Sequence, residues 1–120
     1  MDGGLKQWPE EVAVFLRSIN QEHGVAAEVR VLRDLRRLAE RRHRLRDINK
    51  HLDHGLFELI TSHNKIEYRC IYAFHHPEIV VLVCFVKKTR KTPPAKIEQA
   101  RNRNTLVARG GIELVDITLH

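Results

Sequence analysis

Apolar residues recur along the chain in two rhythms, and the change of rhythm near residue 47 divides it. Val12, Phe15, Leu16 and Ile19 follow Pro9 at three- and four-residue spacing, which predicts a first helix. Proline suits a first helical turn, Glu10 and Glu11 complement the positive end of the helix dipole, and His23-Gly24 supplies a stop. A second helix is expected from about Val25 to Arg44, with Val25, Val29, Leu32, Leu35 and Leu38 or Ala39 on its apolar side. Its other side carries Arg30, Arg33, Arg37, Arg41 and Arg44, either as a solvated face or as a surface for phosphate or a partner. Two such helices in a row suggest an antiparallel hairpin.

Beyond the polar stretch 47–55 the period shortens to that of strands. LFELI, KIEYRCIYAF and EIVVLVCFV are rich in Val, Ile, Phe and Tyr, and turn-length separators at Ser62-His63-Asn64 and His75-His76-Pro77 predict an antiparallel meander. In the middle run, Ile66, Tyr68, Cys70, Tyr72 and Phe74 share one face, and Glu67, Arg69, Ile71 and Ala73 share the other. That alternation favours core packing for Tyr68 and Tyr72. Glu58 is placed to pair with Arg69 across adjacent strands. The last strand runs into Lys87, Lys88, Thr89, Arg90 and Lys91, then Thr92, Pro93 and Pro94. Thr92 is expected to cap a C-terminal helix running from Ala95 to about Leu106, ended by Gly110-Gly111. The tail from Ile112 to Leu119 alternates apolar and polar residues, as either an edge strand or a loose terminus.

Composition narrows the function classes. The 120 residues are expected to form one domain, and 42% apolar content argues against disorder. No apolar run reaches the ~20 residues of a membrane helix, and the N-terminus has acids where a secretory signal has its apolar stretch, so a soluble, cytoplasmic protein without membrane partners is expected. Cys70 and Cys84 lie in apolar runs and read as buried thiols rather than a disulfide. Eight histidines show no metal-ligand spacing, so neither a metal nor another cofactor is expected. Of those histidines, His54 and His63 flank the LFELI strand and are the best placed to carry protons. The net charge of +6 and pI near 9.7 point to an anionic partner. Four cations in five residues, beside threonine hydroxyls and ahead of a helix, form a local pattern suited to phosphate.

The motifs GLFELI, Tyr68-Arg69-Cys70 and Phe85-Val86-Lys87-Lys88-Thr89-Arg90-Lys91-Thr92-Pro93, with Ile97-Glu98-Gln99-Ala100, resemble the RelE/HigB-like toxin family of type II toxin–antitoxin systems. Within that family they resemble its phage-derived HigB branch. The resemblance implies an α/β (α+β) fold with two N-terminal antiparallel helices on a small twisted antiparallel sheet and a short C-terminal helix. It also implies a ribosome-dependent mRNA endoribonuclease in which the ribose 2′-hydroxyl attacks its own phosphodiester without metal. Such a reaction needs a proton acceptor, cations for the charge growing on phosphorus and a donor for the leaving oxygen. On this reading Arg69, Lys87, Lys88 and Lys91 are catalytic, and Arg90, Thr89, Thr92, Arg37 and Arg41 bind RNA. Glu58, His54 and His63 are candidate acids or bases.

The implied partners are mRNA on the ribosome and a cognate antitoxin of helix-turn-helix type, with oligomers of the toxin or of its antitoxin complex. Two departures stand out. The family's Glu-Leu-Arg is Glu58-Leu59-Ile60 here, and the usual first strand must come from LKQW or be replaced by the tail. The rival readings are a ParE-like gyrase inhibitor and a non-catalytic RNA- or protein-binding descendant. Arg69→Ala and the Lys87→Ala, Lys88→Ala pair are expected to abolish toxicity with the fold intact, because strand-end charges contribute little stability.

Overall fold

The computed structural model describes residues 4–40, 49–52, 55–87 and 91–117. Its elements run β1 (Leu5–Gln7), α1 (Glu11–His23), α2 (Val25–Ala39), β2 (Asn49–His51), β3 (Leu56–His63), β4 (Ile66–His75), β5 (Glu78–Lys87), α3 (Pro94–Ala108) and β6 (Val115–Asp116). One six-stranded sheet has the order β2-β3-β4-β5-β1-β6. This is the expected α+β arrangement, with two helices first, the meander β3-β4-β5 at its centre and a helix after it. The sheet is mixed rather than wholly antiparallel, because β1 pairs parallel to β5, Leu5 opposite Ile79. Both candidates for the missing strand take part: LKQW supplies β1, and the tail supplies β6, which pairs antiparallel with β1. The polar stretch before β3 contributes β2.

The helices cover opposite faces. Val12, Phe15 and Ile19 of α1 and Ala27, Val31, Leu35 and Leu38 of α2 pack on Leu59, Tyr68, Cys70, Tyr72 and Val81. Ala100 of α3 packs with Ile71, Ala73, Val80, Leu82, Val83 and Phe85 on the other side. The expected stripe of α2 is thus displaced: Val25 and Val29 are more than half exposed, and Ala27 and Val31 are buried in their place. The tertiary neighbour decides the rotation, since Asp34 turns inward and accepts a 2.8 Å hydrogen bond from Thr61 Oγ1 on β3. Gly24, with φ of 93°, is the single residue between the two helices and takes a conformation that side chains disfavour.

In β5 the alternation of faces is interrupted. Ile71 faces Val83 but Tyr72 faces Val81, so Leu82 is an extra residue, a bulge. Residues on both sides of it stay apolar, which is why the run EIVVLVCFV gives no sign of the shift.

Gln7 caps α1 in place of the residues nearer the helix. Its buried Oε1 accepts hydrogen bonds from the Val12 and Ala13 N–H groups at 2.8 and 3.3 Å. Replacing Gln7 by Ala strands a buried backbone donor and is expected to lower stability by about 1–2 kcal/mol, read as a shift of the urea midpoint at unchanged slope.

Candidate nucleic-acid interface

A buried charged cluster lies on the α3 face of the sheet. Strand pairing sets Ile60 opposite Arg69 and Glu67 opposite Lys87. Paired residues point the same way, and alternate residues of one strand share a face, so Glu58, Ile60, Glu67, Arg69 and Lys87 all project toward α3. Arg69 Nη1 donates to Glu58 Oε1 at 2.8 Å, and Nη2 donates to Glu67 Oε1. Thr92, just ahead of α3, donates from Oγ1 to Glu58 Oε1 and Oε2 at 2.9 and 3.1 Å.

Burial decides what this cluster is. Glu58 is 0% exposed, Arg69 4% and Thr92 7%. The pairing of Glu58 with Arg69 expected from the sequence is present, but as a buried ion pair rather than a weak surface one. Thr92 does not cap α3, which has no side-chain cap. Its hydroxyl turns to Glu58 instead, because a fully buried carboxylate needs donors more than a helix end open to water does. Glu58 is thereby enclosed by its partners, and Arg69 lies beneath the surface with both Nη atoms on carboxylates. Its Nε is the buried side-chain donor without a partner among the described residues.

Glu67 is the half-exposed member, and its carboxyl is held below the ordinary value near 4.5. The hydrogen bond from Arg69 is the main cause, partial burial opposes it, and the charges of Arg69 and Lys87 add to it. Neither the strand periodicity nor any motif singled out Glu67, although its place two residues before Arg69 on the same face was visible.

The other expected site residues divide by position. Lys87 is half-buried at the end of β5, and Lys91 is exposed one residue before Thr92. His63 ends β3 opposite Ile66, at the same end of the sheet as Lys87. Arg37 belongs to α2 on the opposite face, 3.6 Å from the Asp34 carboxylate, and is not brought together with the lysines. Lys88, Thr89, Arg90, Arg41 and His54 lie outside the described residues. Ile60, where the family pattern has arginine, sits directly across from Arg69.

An open cleft of about 460 Å³ adjoins the lysine end, with Trp8, Phe15, Phe85, Val86 and Lys96 among its walls. Lys96 lies over the Phe85 ring at 5.9 Å, and Arg103 over the Trp8 ring at 4.7 Å. At its floor, Glu11 accepts hydrogen bonds from the Cys84 N–H and from Arg103, both at 2.8 Å. Trp8 packs on Arg103 of α3 in addition to closing the start of α1. Cys70 and Cys84 are the buried free thiols expected, their sulfurs 3.4 Å apart. Among the described residues no group of three or more His, Cys, Asp or Glu could hold a metal ion, and no helix is long and apolar enough to cross a membrane.

Two measurements check the cluster. Arg69→Ala leaves Glu58 buried without its cation and is expected to destabilise the fold by about 3–5 kcal/mol, contrary to the intact fold expected for a strand-end charge. The lowered Glu67 value makes its contribution fully present above about pH 4.5 and lost as pH falls through the lowered value. In urea unfolding followed downward from neutral pH, the deficit of Glu67→Gln relative to wild type is therefore expected to be constant down to about pH 4.5 and to shrink as the pH falls further.

No curated protein is significantly similar to the chain. The sequence profile of a family described as phage-derived protein Gp49-like (DUF891) matches residues 15–105, from the middle of α1 to near the end of α3 and across the whole charged cluster. The chain belongs to this Gp49-like family of phage-derived proteins, a RelE-like family of type II toxin–antitoxin toxins, and an antitoxin partner follows from that membership.

Proposed function

We propose that this toxin is a ribosome-dependent mRNA endoribonuclease of the HigB kind, working in the cytoplasm without metal by attack of a ribose 2′-hydroxyl on the adjoining phosphodiester. The observation that carries the reading is the position of Lys87 and Lys91. They stand at the two ends of the cationic stretch 87–91, where the sheet gives way to α3, beside a cleft that Lys96 also lines. Lys87 and Lys91, with Lys88 and Arg90 from the sequence, hold the phosphates and stabilise the charge that grows on phosphorus. Thr89 adds a hydroxyl donor.

Proton transfer falls to groups near that end that water reaches. His63 and Glu67 meet this condition, whereas Glu58 is enclosed and serves the frame. Arg69 enters as a buried cation behind the lysines. A second reading, an RNA-binding descendant that no longer cuts, is favoured by the same cluster, since Arg69 is committed to two carboxylates and Ile60 brings no replacement cation.

Inducing the chain without its antitoxin and mapping mRNA 5′ ends separates the readings. Growth arrest with cuts confined to translated mRNA is the expected result. Arrest with DNA damage assigns the chain to gyrase instead, and RNA binding without cuts assigns it to the second reading. For the purified protein, Lys87→Ala combined with Lys91→Ala is expected to weaken RNA binding across sequences and to reduce the salt slope by about 2, roughly one per lost phosphate contact.

A further inference from the structure

We propose that the cleft between α1, the open edge of β5 and α3 takes an unpaired base of single-stranded RNA, stacked at Trp8 and hydrogen-bonded by the backbone of Val86. The proposal rests on reading the protein as one that binds RNA, and it names the part of the RNA that this cleft receives.

The walls suit the uncharged part of a nucleotide. Trp8, Phe15, Phe85 and Val14, which is 50% exposed, surround about 460 Å³ of open space. The charged groups that line it balance, Glu10 and Glu11 against Lys96 and Arg103, and Glu11 and Arg103 are bound to each other at 2.8 Å. A phosphate therefore meets no net positive charge inside. A base differs, because its π-face stacks on aromatic rings and on guanidinium planes alike. Both are present at one wall, where the Arg103 guanidinium lies over the half-buried Trp8 ring at 4.7 Å.

The floor supplies groups for the edge of a base. The Cys84 N–H points away from β4, to Glu11. By the alternation of an antiparallel strand, Val86 turns its own N–H and C=O the same way, along the cleft that it lines. No strand occupies this edge past Val81 among the described residues. A donor and an acceptor held side by side on one residue match the neighbouring acceptor and donor on a Watson–Crick edge, which only an unpaired base presents. Lys87 follows Val86 directly, so a nucleotide whose base enters here has its phosphate near that lysine. An extended peptide pairs with the same edge, but the ring and guanidinium planes beside it and the adjoining lysine favour a nucleotide.

Trp8 is the only tryptophan in the chain, so its emission reports on the cleft directly. Purified protein is titrated with a short unstructured RNA and with the same strand annealed to its complement, and binding is followed independently by the anisotropy of a dye on the RNA. The single strand is expected to quench Trp8, and the duplex to bind with little quenching, because its bases are already stacked on one another. Trp8→Leu is expected to weaken single-strand binding about tenfold at an unchanged salt slope, because stacking releases no counterions, and Trp8→Phe to recover most of the loss. Single-strand binding that leaves Trp8 emission unchanged overturns the proposal, as does equal quenching by the duplex, or Trp8→Leu binding as wild type does. Emission that responds to purified antitoxin and not to RNA overturns it in favour of a peptide. If Trp8→Leu does not fold, the comparison of single strand with duplex on wild type decides alone. Emission does not depend on cutting: quenching by the single strand in a chain that makes no mRNA cuts upholds the cleft while the endoribonuclease reading fails, and mRNA cuts without quenching do the reverse.

Discussion

A guanidinium buried on a sheet face demands compensation, and most of what is distinctive in this protein follows from how Arg69 obtains it. Glu58 comes from the neighbouring strand, Glu67 from the same strand two residues earlier, and Thr92 completes the carboxylate of Glu58. Strands β3 and β4 and the approach to α3 are therefore joined by charge and hydrogen bonds at one point. Removing any member leaves another buried and unsatisfied, so the cluster stands or falls as a unit.

The opposite edge of β5 is held by a different device. Strand β1 pairs only with residues Ile79 to Val81, and past the bulge at Leu82 β5 has no strand neighbour on that side among the described residues. Side chains complete it instead. Glu11 of α1 accepts from the Cys84 N–H, and Arg103 of α3 donates to the Leu82 carbonyl at 2.7 Å and to Glu11. An open strand edge is a site for unwanted pairing, and here it is closed by an ion pair that also links the helices on opposite faces. Glu11, Cys84 and Arg103 also line the cleft beside it, together with Lys96.

Membership of a RelE-like toxin family and the position of the basic segment agree with each other, but they rest on different residues. Lys87 and Lys91 are reached by water, whereas Glu58, Arg69 and Thr92 beside them are buried. The same separation gives Ile60 its interest, because a residue opposite Arg69 belongs to the frame as much as to the surface.

Much of the fold was legible in the chain itself. The 3.6 and 2.0 periodicities marked both N-terminal helices and the three central strands, and the tyrosines of β4 took the core positions their alternation required. The joint presence of Lys87, Thr92 and Pro93 marked the end of β5 and the entry to α3, and Glu58 was correctly paired with Arg69. Three matters were not legible. Strand β2 is three residues long, too short for any period to register, and the candidates LKQW and the tail gave no sign that β1 and β6 would pair with each other. The bulge in β5 is silent in a run that is apolar on both faces. The burial of Arg69 and Glu58 has the same origin: charge and spacing identify which groups can pair, but only the packing of α3 over the sheet decides whether water reaches the pair. That one fact turns an expected cross-strand contact into a buried ion pair.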